Sequence, residues 1–293
     1  MLEKLLNKYK HAFIKGYHPE RDGVLWLSTD EGESFGLLKS ALSPSETKLL
    51  QALFASKGQE QFLSQTEKAW HQFLFQNGPY PGSEKGSGVR FYYLYIKDLV
   101  DREAFAEALH GTFEEAAAIW SGAHRVILAD SKAGGAADID AIRQFSDTLT
   151  SDFYAEPSFL IGQLHKPGEG LSGKFEREFA FSAAIHEIGR KKLMTFYEAL
   201  PKVLLARPGL VDAGLLSDYF LESIEDQEIV DTLNVYMACN LNASSAAKKL
   251  YMHRNSFQYR IDRFIEKTGI DIKQFTEASA VYMILAGIDL LAP

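Results

Sequence analysis

The sequence predicts a multidomain α+β protein: a mixed amino-terminal region over residues 1–80, a central α/β unit over 88–190, a helical connector over 191–221 and an all-helical unit over 222–293. Three observations lead there. The glycine- and proline-rich run from Asn77 to Gly88 interrupts the patterned chain, strand-like and helix-like segments alternate between 88 and 190, and every pattern from Ile224 onward is helical. A length of 293 residues calls for two or three compact units. An apolar fraction of 46% with 24% charged residues is that of a globular chain, so neither disorder nor a fibrous repeat is needed.

At the amino end, Leu2, Leu5, Leu6, Tyr9 and Phe13 form a helical stripe. Gly23 to Ser28 reads as a short buried strand, and Ser43-Pro44-Ser45-Glu46 as the cap and first turn of a helix carrying Leu49, Leu50, Leu53 and Phe54. Phe62 to Phe75 reads as a helix. In the central unit, Arg90 to Ile96 opens as a strand, Arg102 to Trp120 follows as a helix, Val126 to Ala129 as a strand and Ile139 to Phe153 as a helix. Ser158 to Leu164 is a third strand, and a helix runs around Phe175 to Ile188. Pro201, Pro208 and Gly209 punctuate the connector.

The formal charge of −8 is unevenly spread. Between Asn240 and Phe275 stand seven Lys or Arg against three acids, a net +4, which leaves −12 on the rest. That asymmetry fits a module facing a polyanion, with an ordinary charged surface as the equal alternative. Cys239 is the only cysteine and cannot form an internal disulfide. No apolar run reaches about twenty residues, so the expectation is a cytoplasmic chain without a membrane partner.

The last seventy residues carry the chemistry. Ile229, Leu233, Tyr236 and Met237 form the inner face of a support helix, and Ala246, Ala247 and Leu250 suit a close helix crossing, with Tyr251 expected to pack on the support helices. Phe257, Ile261, Phe264 and Ile265 then recur at helical spacing and fix one face of the next helix on the core. Its other side offers His253, Arg254, Asn255, Ser256, Gln258, Tyr259, Arg260 and Arg263, a mixture suited to holding phosphates and reading base edges in a major groove. Gln258 is the expected base reader and Arg263 the phosphate clamp, while His253 caps the helix or meets a phosphate. A small bundle with a solvated polar face is the competing reading.

The runs Asp231 to Asn240, Ala246 to Ile261 and Lys267-Thr268-Gly269-Ile270 closely resemble the carboxy-terminal helix-turn-helix domain of PucR/CdaR-type transcription regulators. The family commonly has Thr-Leu where this chain has Ser256-Phe257, which keeps a hydroxyl and an apolar group. The resemblance implies sequence-specific regulation of metabolic genes, double-stranded DNA as a partner, responsiveness to a small-molecule effector or an assembly state, and a central unit like a degenerate nucleotide cyclase. A homo-oligomer, most simply a dimer, is expected on paired half-sites. The alternatives are a metabolite-binding or protein-interaction module without DNA binding, and an enzyme in the upstream units.

Other motifs point to no chemistry. His186-Glu187-Ile188-Gly189-Arg190 begins like a zinc-protease motif but lacks the second His. Gly134 to Asp138 is glycine-rich yet has neither a phosphate-loop Lys-Ser/Thr nor the paired acids of a cyclic-dinucleotide synthase, and reads as a turn. The eight histidines show no metal-ligand spacing. Phe91 to Tyr95 reads as a core strand, since no basic lane accompanies it. No catalytic residue, metal or cofactor is expected, and a cyclase-like central unit would lack turnover.

Overall fold

A computed structural model describes residues 2–16, 23–29, 33–57, 64–83, 88–97, 116–121, 124–153, 156–188 and 192–288, with isolated positions between 105 and 113. The amino-terminal unit holds α1 (Leu2–Lys8), β1 (Phe13–Lys15), β2 (Val24–Ser28), β3 (Ser34–Leu38), α2 (Pro44–Leu53) and β4 (Ala55–Lys57). Its antiparallel sheet has the order β1-β3-β2-β4. Leu27, Phe35 and Leu37 are fully buried, with Phe13 stacked on Phe35 at 5.3 Å. Phe13 therefore opens a strand and does not continue the expected helix: its ring is drawn to the sheet core. Trp26 lies opposite Gly36, where a Cβ would come within 2.5 Å of the indole, so that position admits only glycine.

The expected cap of α2 is present as a full capping box between Ser43 and Glu46. Glu46 also accepts from Lys8 Nζ at 3.0 Å and Tyr9 Oη at 2.8 Å, tying α2 to α1. These bonds, led by the Ser43 backbone N–H, hold its carboxyl down to about 2. A carboxyl lowered on folding stabilises fully above its unfolded value and loses that contribution as pH falls through the folded one. Stability should therefore decline between about pH 4.5 and 2. Glu46→Gln should flatten that decline in denaturant titrations at stepped pH; an unchanged slope would contradict the assignment.

The second sheet, order β6-β7-β5-β8-β9, comprises β5 (Val89–Lys97), β6 (Ala117–Trp120), β7 (Arg125–Asp130), β8 (Glu156–His165) and β9 (Leu193–Thr195). β5 pairs antiparallel with β7 and β8, and β6 with β7; β9 alone runs parallel, to β8. The central unit is thus α+β and not the expected α/β, because its chief pairings are antiparallel. Ala117 to Trp120, expected at the end of a helix, is an edge strand, whereas the described positions Phe105, Ala108, Leu109, Gly111 and Thr112 are helical as expected.

Alternation along β5 explains its aromatic run. Tyr92, Leu94 and Ile96 face α4 (Ile139–Phe153), packing with Phe145 and Leu149. Phe91 and Tyr93 face the other way, toward α3 (Gln65–Gln76) and α5 (Leu171–Ile188), with Trp70, Phe73 and Phe175. An irregularity in the β5–β8 register falls beside Gly162, where a Cβ would lie 2.5 Å from Glu178 Oε2 and 2.6 Å from Phe91 O.

The segment expected as a helical connector contains β9 and then α6 (Phe196–Ala206), two short 3-10 turns, Pro208–Leu210 and Ala213–Leu215, and α7 (Asp218–Ile224). Gln163 reaches it from β8: Nε2 donates to Leu215 O at 2.8 Å, and Oε1 accepts from Ser217 N at 2.9 Å. One apolar core runs from Trp70 through Phe91, Leu200 and Phe220 to Phe257 and Ile284. The carboxy-terminal helices are therefore packed against the sheet unit.

Candidate nucleic-acid interface

Four helices complete the chain: α8 (Gln227–Ala238), α9 (Ala243–Lys249), α10 (Arg254–Thr268) and α11 (Phe275–Gly287). Asn240 and Leu241 take positive φ in the first turn, and Asn242 caps α9 by accepting from Ser245 N at 2.9 Å. Ala246 and Ala247 are buried where α9 crosses α10, since only a small side chain fits between close helices. Phe257, Ile261 and Phe264 anchor α10, with Phe257 5.3 Å from the Tyr236 ring. His253 caps α10, its Nδ1 accepting from Asn255 N at 3.2 Å.

The eight candidate residues do not form one surface. At about 100° per residue, Asn255, Ser256, Tyr259 and Arg263 share an arc of roughly 100° opposite the buried face, and all four are exposed. Arg263 lies over the Tyr259 ring at 5.9 Å, which confirms that the two share a face. Arg254 is exposed at the first turn. Gln258 is half-buried on one flank and donates to Asp262 Oδ1 at 3.0 Å, where Lys273 Nζ also donates at 2.8 Å and, as the larger cause, lowers the Asp262 carboxyl. Arg260, on the other flank, turns back to α8, with Nη1 to Thr232 Oγ1 at 2.9 Å and Nη2 to Glu228 Oε2 at 3.1 Å. Its role visible here is to fasten the recognition helix to its support.

Tyr251 corrects an expectation. It is 98% exposed, not packed, because its φ of 54° in the turn between α9 and α10 rotates the side chain away from the core. Lys248 and Lys249, at the end of α9 just before that turn, are exposed as well. Among the described residues, Lys248, Lys249, Arg254 and Arg263 enter no ion pair, whereas Arg260 and Lys273 do. Unpaired cations beside an open helix face are what phosphate binding requires.

The remaining motifs sit in ordinary structure. His186 stacks on Tyr95 and Glu187 pairs with Arg207, and Cys239 follows α8 as its cap. Among the described residues no His, Cys, Asp or Glu group has the arrangement of a metal site, and no helix is long and apolar enough to cross a membrane.

Residues 229–286 match the PucR C-terminal helix-turn-helix domain. Over 290 residues the chain is 30% identical to the uncharacterized protein YxkF of Bacillus subtilis, covering 97% of each chain. The proline-responsive transcriptional activator PutR of the same organism is 34% identical over 58 residues, 20% of this chain and 14% of that one. The purine catabolism regulatory protein of Bacillus subtilis is 26% identical over 142 residues, 46% of this chain and 27% of that one. The chain belongs to the family of YxkF, and it ends in a PucR-type helix-turn-helix domain.

Proposed function

We propose that the protein is a sequence-specific transcription regulator of metabolic genes that docks α10 in the major groove as a dimer and answers to a small molecule. The observation carrying this reading is the row Asn255, Ser256, Tyr259 and Arg263, opposite the anchoring side chains and flanked by unpaired Lys248, Lys249 and Arg254. Asn255, Ser256 and Tyr259 read bases. Gln258 joins them by leaving Asp262, and the cations hold phosphates. The match to a helix-turn-helix family and the likeness to two named regulators support it. The strand order β6-β7-β5-β8, antiparallel throughout, supports the proposal that the central unit is a cyclase-like scaffold used for signalling or assembly.

One small helix-turn-helix makes few base contacts, and pairing on two half-sites supplies the missing affinity and specificity. Genomic fragments enriched by the full-length chain provide a duplex for sedimentation. Two chains per duplex are expected. One chain per duplex at saturation would overturn the pairing, and no enriched fragment would overturn DNA reading itself.

A further inference from the structure

A cavity of about 50 Å³ lies at the seam between the second sheet and the carboxy-terminal helices, room for a ligand of a few heavy atoms. Arg90 of β5, Thr195 at the end of β9, Gly269 after α10 and Glu277 of α11 line it, with Ile139 and Ile161 as its apolar wall.

Arg90 sets the chemistry. It is 3% exposed and makes no ion pair among the described residues; Nη2 donates to Gly135 O at 2.6 Å, and Nε has no partner. A guanidinium stays charged at any physiological pH, and a buried one normally lies against a carboxylate. The two carboxyl groups in the wall are engaged elsewhere. Glu277 accepts from Asp271 N at 2.7 Å, and burial raises it toward the neutral form; Asp271 Oδ1 accepts from Lys273 N at 3.2 Å. We propose that this cavity binds a small carboxylate, whose oxygens pair with the Arg90 guanidinium while its short remainder lies against Ile139 and Ile161.

The position gives such a ligand a consequence. Gly269 is the left-handed cap that ends α10, with φ of 72°, and a Cβ there would lie 2.5 Å from Arg90 Nη2 and 2.7 Å from Gly135 O. Arg90 thus sits at the carboxy-terminal end of the recognition helix, where a cation is favoured. A carboxylate competing for the same guanidinium couples occupancy to the placement of α10. That coupling rests on the DNA-reading role of α10, whereas the site itself does not.

Calorimetric titration of the full-length chain without DNA tests the site, with sodium propionate and L-alanine as probes that share a carboxylate and differ in an ammonium group. Saturable binding of at least one, at one site per chain, is expected. It should weaken at least about tenfold in Arg90→Met, which removes charge-assisted hydrogen bonds, and in Ala137→Leu, which fills the cavity from its half-buried edge. Tighter binding of alanine would identify an amino acid as the carboxylate's source. If Arg90→Met lacks the wild-type circular dichroism spectrum, Ala137→Leu decides. Saturation by neither probe, or affinities unchanged in Ala137→Leu, overturns the proposal. Intact carboxylate binding in a chain that binds no DNA would sink the proposed function instead.

Discussion

Glu178→Ala is expected to destabilise the folded chain by about 3–5 kcal/mol, the scale for breaking a buried charged network by removing one partner. Glu178 is fully buried on α5. It accepts from Tyr93 Oη at 2.9 Å and Gln163 N at 2.8 Å, with Gln163 Nε2 at 3.4 Å, and His165 Nε2 also lies 3.4 Å away. Truncation leaves the Tyr93 hydroxyl and the Gln163 backbone N–H without an acceptor in a site that water does not reach. Burial and the neighbouring carboxylate together hold the Tyr93 hydroxyl well above its usual value, so it stays a donor that must be satisfied. Gln163 passes the damage on, since the same side chain bonds Leu215 O and Ser217 N in the segment leading to the helix-turn-helix. Glu178→Gln, which keeps one acceptor oxygen, should lose less. Urea unfolding with an unchanged slope would measure both, and a loss below about 1 kcal/mol for the alanine variant would remove this network from the account.

The second large effect concerns DNA. Combining Arg254→Ala with Arg263→Ala should weaken binding about 30-fold at roughly 0.15 M salt, because each lost phosphate contact changes affinity by about the inverse salt concentration to the power 0.9. The slope of log affinity against log salt should become shallower by nearly two, for preferred and mixed-sequence duplexes alike. Asn255→Ala should behave differently. It should cost about 1–3 kcal/mol of discrimination between the preferred duplex and a changed half-site while leaving the salt slope intact. All three side chains are exposed, so circular dichroism should show wild-type folding in both variants. Arginine variants that alter sequence preference but not the slope would mean that α10 is rotated in the groove.

The sequence showed best those elements whose periodicity is local. Ile139–Phe153 is helical end to end as expected, because its apolar spacing and its burial agree. Phe257, Ile261 and Phe264 likewise stand at the spacing that one buried helix face demands. Strands of three to five residues, such as Phe13–Lys15, Ser34–Leu38 and Leu193–Thr195, are too short to show alternation and exist through pairing with distant chain. Ala117 to Trp120 looks helical because alanine favours helix, yet pairing with β7 overrides that preference.

At the site, sequence spacing separated core from polar face but could not sort the polar residues. Arg260 and Arg263 look equivalent along the chain. Only folding brings Thr232 and Glu228, about thirty positions away, against Arg260. Tyr251 misleads for a backbone reason, since a left-handed turn residue points where no helical periodicity applies. The cavity at Arg90 is wholly non-local: its walls come from five separate stretches of chain, and no motif joins them.

The most direct test of the DNA-reading account is genome-wide mapping of fragments bound by the full-length chain in its own cells, run beside the Arg254→Ala, Arg263→Ala double variant at equal abundance. The account predicts discrete enriched sites sharing a two-fold related sequence, lost in the variant. A wild-type profile indistinguishable from an untagged control, or sites fully retained by the variant, would contradict it.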